Sequence, residues 1–158
     1  MNLKKKVNQD FKYGQLKMGV KDKNILLVED SSDDMELIKR KLESFGMDYN
    51  LIVERDGEEA LNYLYHKEKY SDREKFPDPD LILMDIKMPK INGIEVLREI
   101  KSDKILSEIP VVMLTASTLY PDIQDSFDGG CDNYVAKSVG FEKFEETIKP
   151  LIKYYLMK

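Results

Sequence analysis

Leu81-Ile82-Leu83-Met84-Asp85-Ile86-Lys87-Met88-Pro89 is the stretch on which the fold turns. Four apolar residues run together without polar alternation, as in a strand buried on both faces, and an acid closes the run. The same shape recurs along the chain. Ile25-Leu26-Leu27-Val28 leads into Glu29-Asp30, and Val111-Val112-Met113-Leu114 leads into Thr115. A weaker run, Tyr134-Val135-Ala136, leads into Lys137, and Leu51-Ile52-Val53 completes the set.

Amphipathic stretches separate these runs. Residues 32–45 place Met35, Ile38, Leu42 and Phe45 on one stripe; Ser31 suits the N-cap, Asp33 and Asp34 suit the positive helix start, and Gly46 suits the stop. Helices are also expected over 56–66, 93–102, 119–128 and 141–157. Ile123 and Phe127 are the few anchors of the fourth. In the fifth, Phe141, Phe144, Ile148, Leu151, Ile152 and Tyr155 point inward, and Pro150 should kink or break it. Residues 66–80 are charged, hold Pro77 and Pro79, and read as a long surface loop with an exposed, inert His66. Five strands alternating with five helices give an α/β class, (βα)5, with a doubly wound parallel five-stranded sheet.

Such a sheet binds ligands at the carboxyl ends of its strands. Glu29, Asp30, Asp85, Thr115 and Lys137 all stand at those ends. Two carboxylates about 4 Å apart repel by roughly 4 kcal/mol at an effective dielectric near 20. Three together call for a proton or a cation. The donors are oxygens alone, which selects a hard ion, and an open carboxylate site suits magnesium. A carboxylate beside such an ion has the chemistry to attack phosphorus and form an acyl phosphate. Lys137 and the Thr115 hydroxyl are the right types to receive phosphoryl oxygens.

With these segments in hand, the sequence resembles the response-regulator receiver domain over about residues 24–156. The resemblance rests on Val28-Glu29-Asp30, on Met84-Asp85-Ile86-Lys87-Met88-Pro89 with Gly93, on Leu114-Thr115-Ala116, and on Tyr134-Val135-Ala136-Lys137. It implies a flavodoxin-like strand order of 2-1-3-4-5. It implies Asp85 as phospho-acceptor, with Asp30 and Asp85 touching Mg2+ directly, Glu29 through water and Lys87 through its backbone carbonyl. Thr115 and Lys137 would bind the phosphoryl group, and Thr115 with Tyr134 would form the switch. Lys87 and Ser117 fall where side chains tune dephosphorylation. Ser138 stands where most of the family has a proline, which leaves the geometry of the next loop open. Ser138 and the long 66–80 loop resemble the single-domain subfamily that partners phytochrome-type histidine kinases, whose members often dimerise.

The expected role is a two-component phosphorelay response regulator: a phospho-accepting signalling switch, with at most self-catalysed phosphoryl transfer and autodephosphorylation. Its expected partners are a sensor histidine kinase and a downstream protein reached through the face of the fourth helix, fifth strand and fifth helix. The apolar end Leu151, Ile152, Tyr154, Tyr155 and Leu156 serves either core packing or a homodimer. A haloacid-dehalogenase type of phosphotransferase would want a second Asp where Lys87 stands. A flavin carrier would want a phosphate loop where Glu29-Asp30-Ser31-Ser32-Asp33-Asp34 would repel phosphate. A degenerate, binding-only receiver would lack the complete acidic set.

Bulk properties agree. The chain has 158 residues, 42% hydrophobic and 35% charged, which suits one domain with one real core. No stretch approaches the roughly 18–20 apolar residues of a membrane span. Lys4-Lys5-Lys6 lacks the apolar run of a secretory signal. The single cysteine, Cys131, reads as a small half-buried residue and fits a reducing, cytoplasmic setting. Net charge is −5, yet residues 1–24 hold seven Lys and two Asp. Residues 1–23 are therefore expected to be a basic, flexible extension, with neither nucleic acid nor membrane as its target, and 24–158 the receiver domain. On that division no output domain is expected.

Overall fold

In the computed structural model, the described residues are 23–116, 120–137, 141 and 143–157. The basic N-terminal extension through residue 22, Ser117 and Ser138 lie outside them. The apolar runs form five strands: β1 (Asn24–Val28), β2 (Asn50–Glu54), β3 (Leu81–Asp85), β4 (Val111–Thr115) and β5 (Asn133–Ala136). They pair in parallel in the order β2-β1-β3-β4-β5. Between and after them run α1 (Ser32–Ser44), α2 (Gly57–Leu64), α3 (Gly93–Ser102), α4 (Tyr120–Asp128) and α5 (Phe144–Leu156).

Because side chains alternate across a sheet, each central strand feeds two cores. Leu26, Val28, Ile82, Met84, Val111 and Met113 join the core beneath α2 and α3. Ile25, Leu27, Leu81, Leu83, Val112 and Leu114 join the core beneath α1 and α5. All twelve are fully buried, and each such side chain contributes about 1.5–3 kcal/mol. Strand β2 departs from the expected two-sided burial: its residues are half-buried or exposed, because it is an edge strand.

Local chemistry sets the helix starts. Ser31 caps α1 by accepting the Asp34 amide, Asp56 caps α2 by accepting that of Glu59, and Asn92 caps α3 by accepting that of Glu95. Gly46, at φ 68°, occupies the left-handed position that ends α1.

Several expectations need correction. Helix α5 runs through Pro150 without a break. Pro150 is exposed, and Ile148 and Ile152 on either side of it are locked into the core. Phe127 is not an anchor of α4; it is 51% exposed, and the small Ser126 takes the buried position. His66 is not exposed: its side chain is 6% accessible, with Nε2 2.6 Å from Asp78 Oδ1 and Nδ1 3.3 Å from the Tyr70 carbonyl. The 66–80 loop also has its own packing. Tyr63, Tyr70 and Phe76 meet edge to face with ring centroids 5.1–6.1 Å apart. The Tyr63 hydroxyl donates to the Pro77 carbonyl at 2.7 Å and the Tyr70 hydroxyl to Glu59 at 2.6 Å. Cys131 is buried rather than half-buried, which pushes its thiol up to about 11.

Candidate phosphoryl-accepting site

Strand register assembles the site one step at a time. Val28 is level with Met84, Asp85 with Leu114, and Thr115 with Ala136. Glu29, Asp85, Thr115 and Lys137 therefore end up side by side although far apart in sequence. Carrying the alternation one residue past the strand ends puts Glu29, Asp85 and Lys137 on the face of α1 and α5. Thr115 and Tyr134 fall on the opposite face. The chain thus separates its charged set from Thr115 and Tyr134 across the sheet.

On the charged face, Lys137 Nζ lies 3.3 Å from Asp85 Oδ1 and 3.0 Å from Asp34 Oδ2, and it also pairs closely with Glu29 Oε2. Glu29 is fully buried, and its other oxygen accepts the Ser31 amide at 3.2 Å. Asp85 is 6% exposed. Burial pushes its carboxyl up to about 7, with Lys137 pulling it down and the Glu29 charge raising it further. Burial pulls the Lys137 ammonium down, but Glu29, Asp85 and Asp34 outweigh it and the net shift is upward. The cleft holds more acid than one lysine neutralises.

That surplus is the test of whether a cation fits. Carboxylate oxygens of Glu29, Asp30 and Asp85 lie within 4.8 Å of one another. They flank a cavity of about 310 Å³ that Lys87 and Thr115 also line. An all-oxygen donor set of this charge can hold Mg2+.

On the opposite face, Tyr134 is half-buried and hydrogen-bonded to Thr115. Its hydroxyl is raised by burial and by the Asp122 carboxylate, against the Thr115 hydrogen bond. The Lys137 amide donates to the Thr115 carbonyl at 2.7 Å, which ties the two strand ends together. Gly93 sets the wall beneath Asp85. A Cβ there would lie 1.9 Å from the Asp85 carbonyl oxygen, so only glycine lets α3 start so close to the acid.

Two site neighbours escaped the sequence reading. Asp34 reads locally as a helix-start acid, and its turn toward Lys137 depends on a residue 103 positions away. Arg55 has no sequence signal; its guanidinium donates to the Asp30 carbonyl at 2.9 Å and to Ser32 Oγ at 2.7 Å, bracing the loop that carries Asp30.

Comparison with known proteins bears on this geometry. A family model described as the response regulator receiver domain matches residues 25–149. Response regulator Rcp1 of Synechocystis sp. is 37% identical over 134 residues, covering 85% of this chain and 89% of that protein. The crystal structure of a phosphorylated cyanobacterial phytochrome response regulator, RcpA, superposes with a TM-score of 0.78 at 38% identity, covering 85% of this chain and 94% of that one. The Mn2+-bound form of Rcp1 gives a TM-score of 0.76 at 37% identity, covering 85% and 94%.

Proposed function

The chain belongs to the response regulator receiver domain family, and from that premise we propose that Asp85 is its phospho-acceptor and a histidine kinase phosphohistidine its donor. The observation that carries this is the buried Asp85 carboxylate with the Lys137 ammonium 3.3 Å away in an acid-rich cleft.

The transfer balances simply. An Asp85 oxygen attacks phosphorus, a P–O bond forms, and the P–N bond of the donor breaks. The bonding pair stays on the imidazole nitrogen, which takes a proton from solvent. Asp30 and Asp85 would hold Mg2+ directly, Glu29 through water and Lys87 through its carbonyl. When bound, Mg2+ keeps Asp85 ionised and neutralises phosphoryl oxygens. Lys137 then pairs with one phosphoryl oxygen and the Thr115 hydroxyl donates to another. Drawing Thr115 toward the phosphoryl group takes it from Tyr134, whose ring follows it inward.

That rearrangement crosses the sheet to the surface of α4, β5 and α5, where a downstream protein would read it. Moving such a switch from 1:99 to 99:1 takes about 5.5 kcal/mol of differential stabilisation. A buried phosphoryl–Lys137 pair with the Thr115 hydrogen bond is of that order. Ile152 and Leu156 lie in the core, whereas Tyr154 and Met157 stay more than half exposed at the end of α5. Those two, with the exposed Phe127 of α4, would offer apolar surface to a homodimer. Among the described residues no helix is long and apolar enough to cross a membrane.

The test is intact-protein mass after incubation with acetyl phosphate and Mg2+. The native chain should gain one phosphoryl group and the Asp85→Asn variant none. Equal labelling of that variant would sink the assignment.

A further inference from the structure

Asp34 is an acid of the cleft that the phosphoryl-transfer scheme does not use. It stands at the third position of α1, where an acid commonly turns back to accept the amide of the N-cap residue. Here that amide is already taken: Ser31 N–H donates to Glu29 Oε1 at 3.2 Å. Ser31 still caps the helix by accepting the Asp34 amide at 3.3 Å. With its local partner engaged elsewhere, the Asp34 carboxylate reaches across the cleft to Lys137 Nζ at 3.0 Å.

An ammonium has three N–H donors. Glu29, Asp34 and Asp85 lie around the Lys137 ammonium and can use all three. A phosphoryl group on Asp85 replaces that carboxylate with up to three anionic oxygens, which compete with Glu29 and Asp34 for the same three donors. Glu29 is buried and costly to leave alone. The Asp34 side chain is 35% exposed and returns to water readily.

We propose that Asp34 is a positioning residue. It holds Lys137 against α1 in the resting state and competes with the phosphoryl group for that ammonium. It thereby biases the switch toward its unphosphorylated form. This inference rests on Asp85 as acceptor and deepens that reading.

Beryllofluoride, a tetrahedral phosphoryl mimic, tests it on the full chain at saturating Mg2+, with affinity read by calorimetry or fluorine NMR. Removing a partly exposed ion-pair partner should make Asp34→Asn bind about fivefold tighter than the native chain. Asp34→Ala should move the same way, and Asp34→Glu should restore native affinity. An acid that merely supports α1 would give the opposite sign, since a weakened helix start loosens the site. Unchanged or weaker binding by Asp34→Asn overturns the inference while leaving Asp85 in its role, provided the native chain binds. A native chain that ignores beryllofluoride overturns both.

Discussion

Two lysines are drawn into this molecule at opposite ends of the strands, and their surroundings differ in kind. Lys101, near the end of α3, has a side chain 16% exposed. Its ammonium donates to the carbonyls of Ser107 at 3.2 Å and Ile109 at 2.9 Å, and to Asp132 at 3.0 Å. Two neutral acceptors and one acid match its single charge, and Asp132 is used again by the Val111 amide at 2.8 Å. Lys137, 4% exposed, faces three carboxylates. A matched charge is a structural pin with nothing to gain by moving. An over-subscribed one answers to any change in the charge around it.

The comparison can be broken in three places. The largest effect should come from Lys137→Met in a chelator. Leaving Glu29 buried without a cation should cost about 3 kcal/mol in denaturant unfolding, and added Mg2+ should recover most of it. A variant as stable as the native chain without metal would show that the three acids do not depend on Lys137. Next is Lys101→Ala, which strands three acceptors and should cost about 2 kcal/mol. Here the loss should be the same with and without Mg2+. A metal-dependent loss would erase the distinction between the two lysines.

The third place is the pH dependence of the metal-free protein. Folded Asp85 holds its proton up to about 7, against about 3.9 for an unfolded aspartate. The folded state therefore binds more protons between those values, and stability falls as pH rises from about 4 to about 7. Asp85→Asn removes that slope. At pH 8 it should be more stable than the native chain, and the gain should vanish near pH 4. A constant difference across that range would place the surplus charge on another acid.

The sequence was most legible where one physical cue dominated. Continuous apolar runs marked all five strands, and the residue ending four of them marked the cleft, because a parallel sheet brings strand ends together whatever the loops do. It was least legible where the outcome depended on distant packing. His66 reads as a lone loop histidine, yet the Asp78 carboxylate and the Tyr70 carbonyl hold it in place. Phe127 reads as an anchor, yet its side of α4 meets no core and Ser126 fills the buried position. Asp34 reads as a helix-start acid because its cap partner is local, whereas Lys137 is set by β5. Pro150 signals a break, but a missing amide on the exposed side of α5 costs little beside the buried Ile148 and Ile152.

The ring cluster of the 66–80 loop has a consequence for digestion. Lys67, Lys69, Arg73 and Lys75 offer trypsin four sites in a long connection, the sort of segment that is usually nicked first. Here Tyr63, Tyr70 and Phe76 clamp the connection onto α2, and His66 is tied to Asp78. A protease needs an extended strand of substrate, so cutting must wait for that clamp to open, and the rate of nicking measures how often it does. Limited trypsinolysis thus becomes a clock for one small aromatic knot, separate from unfolding of the sheet.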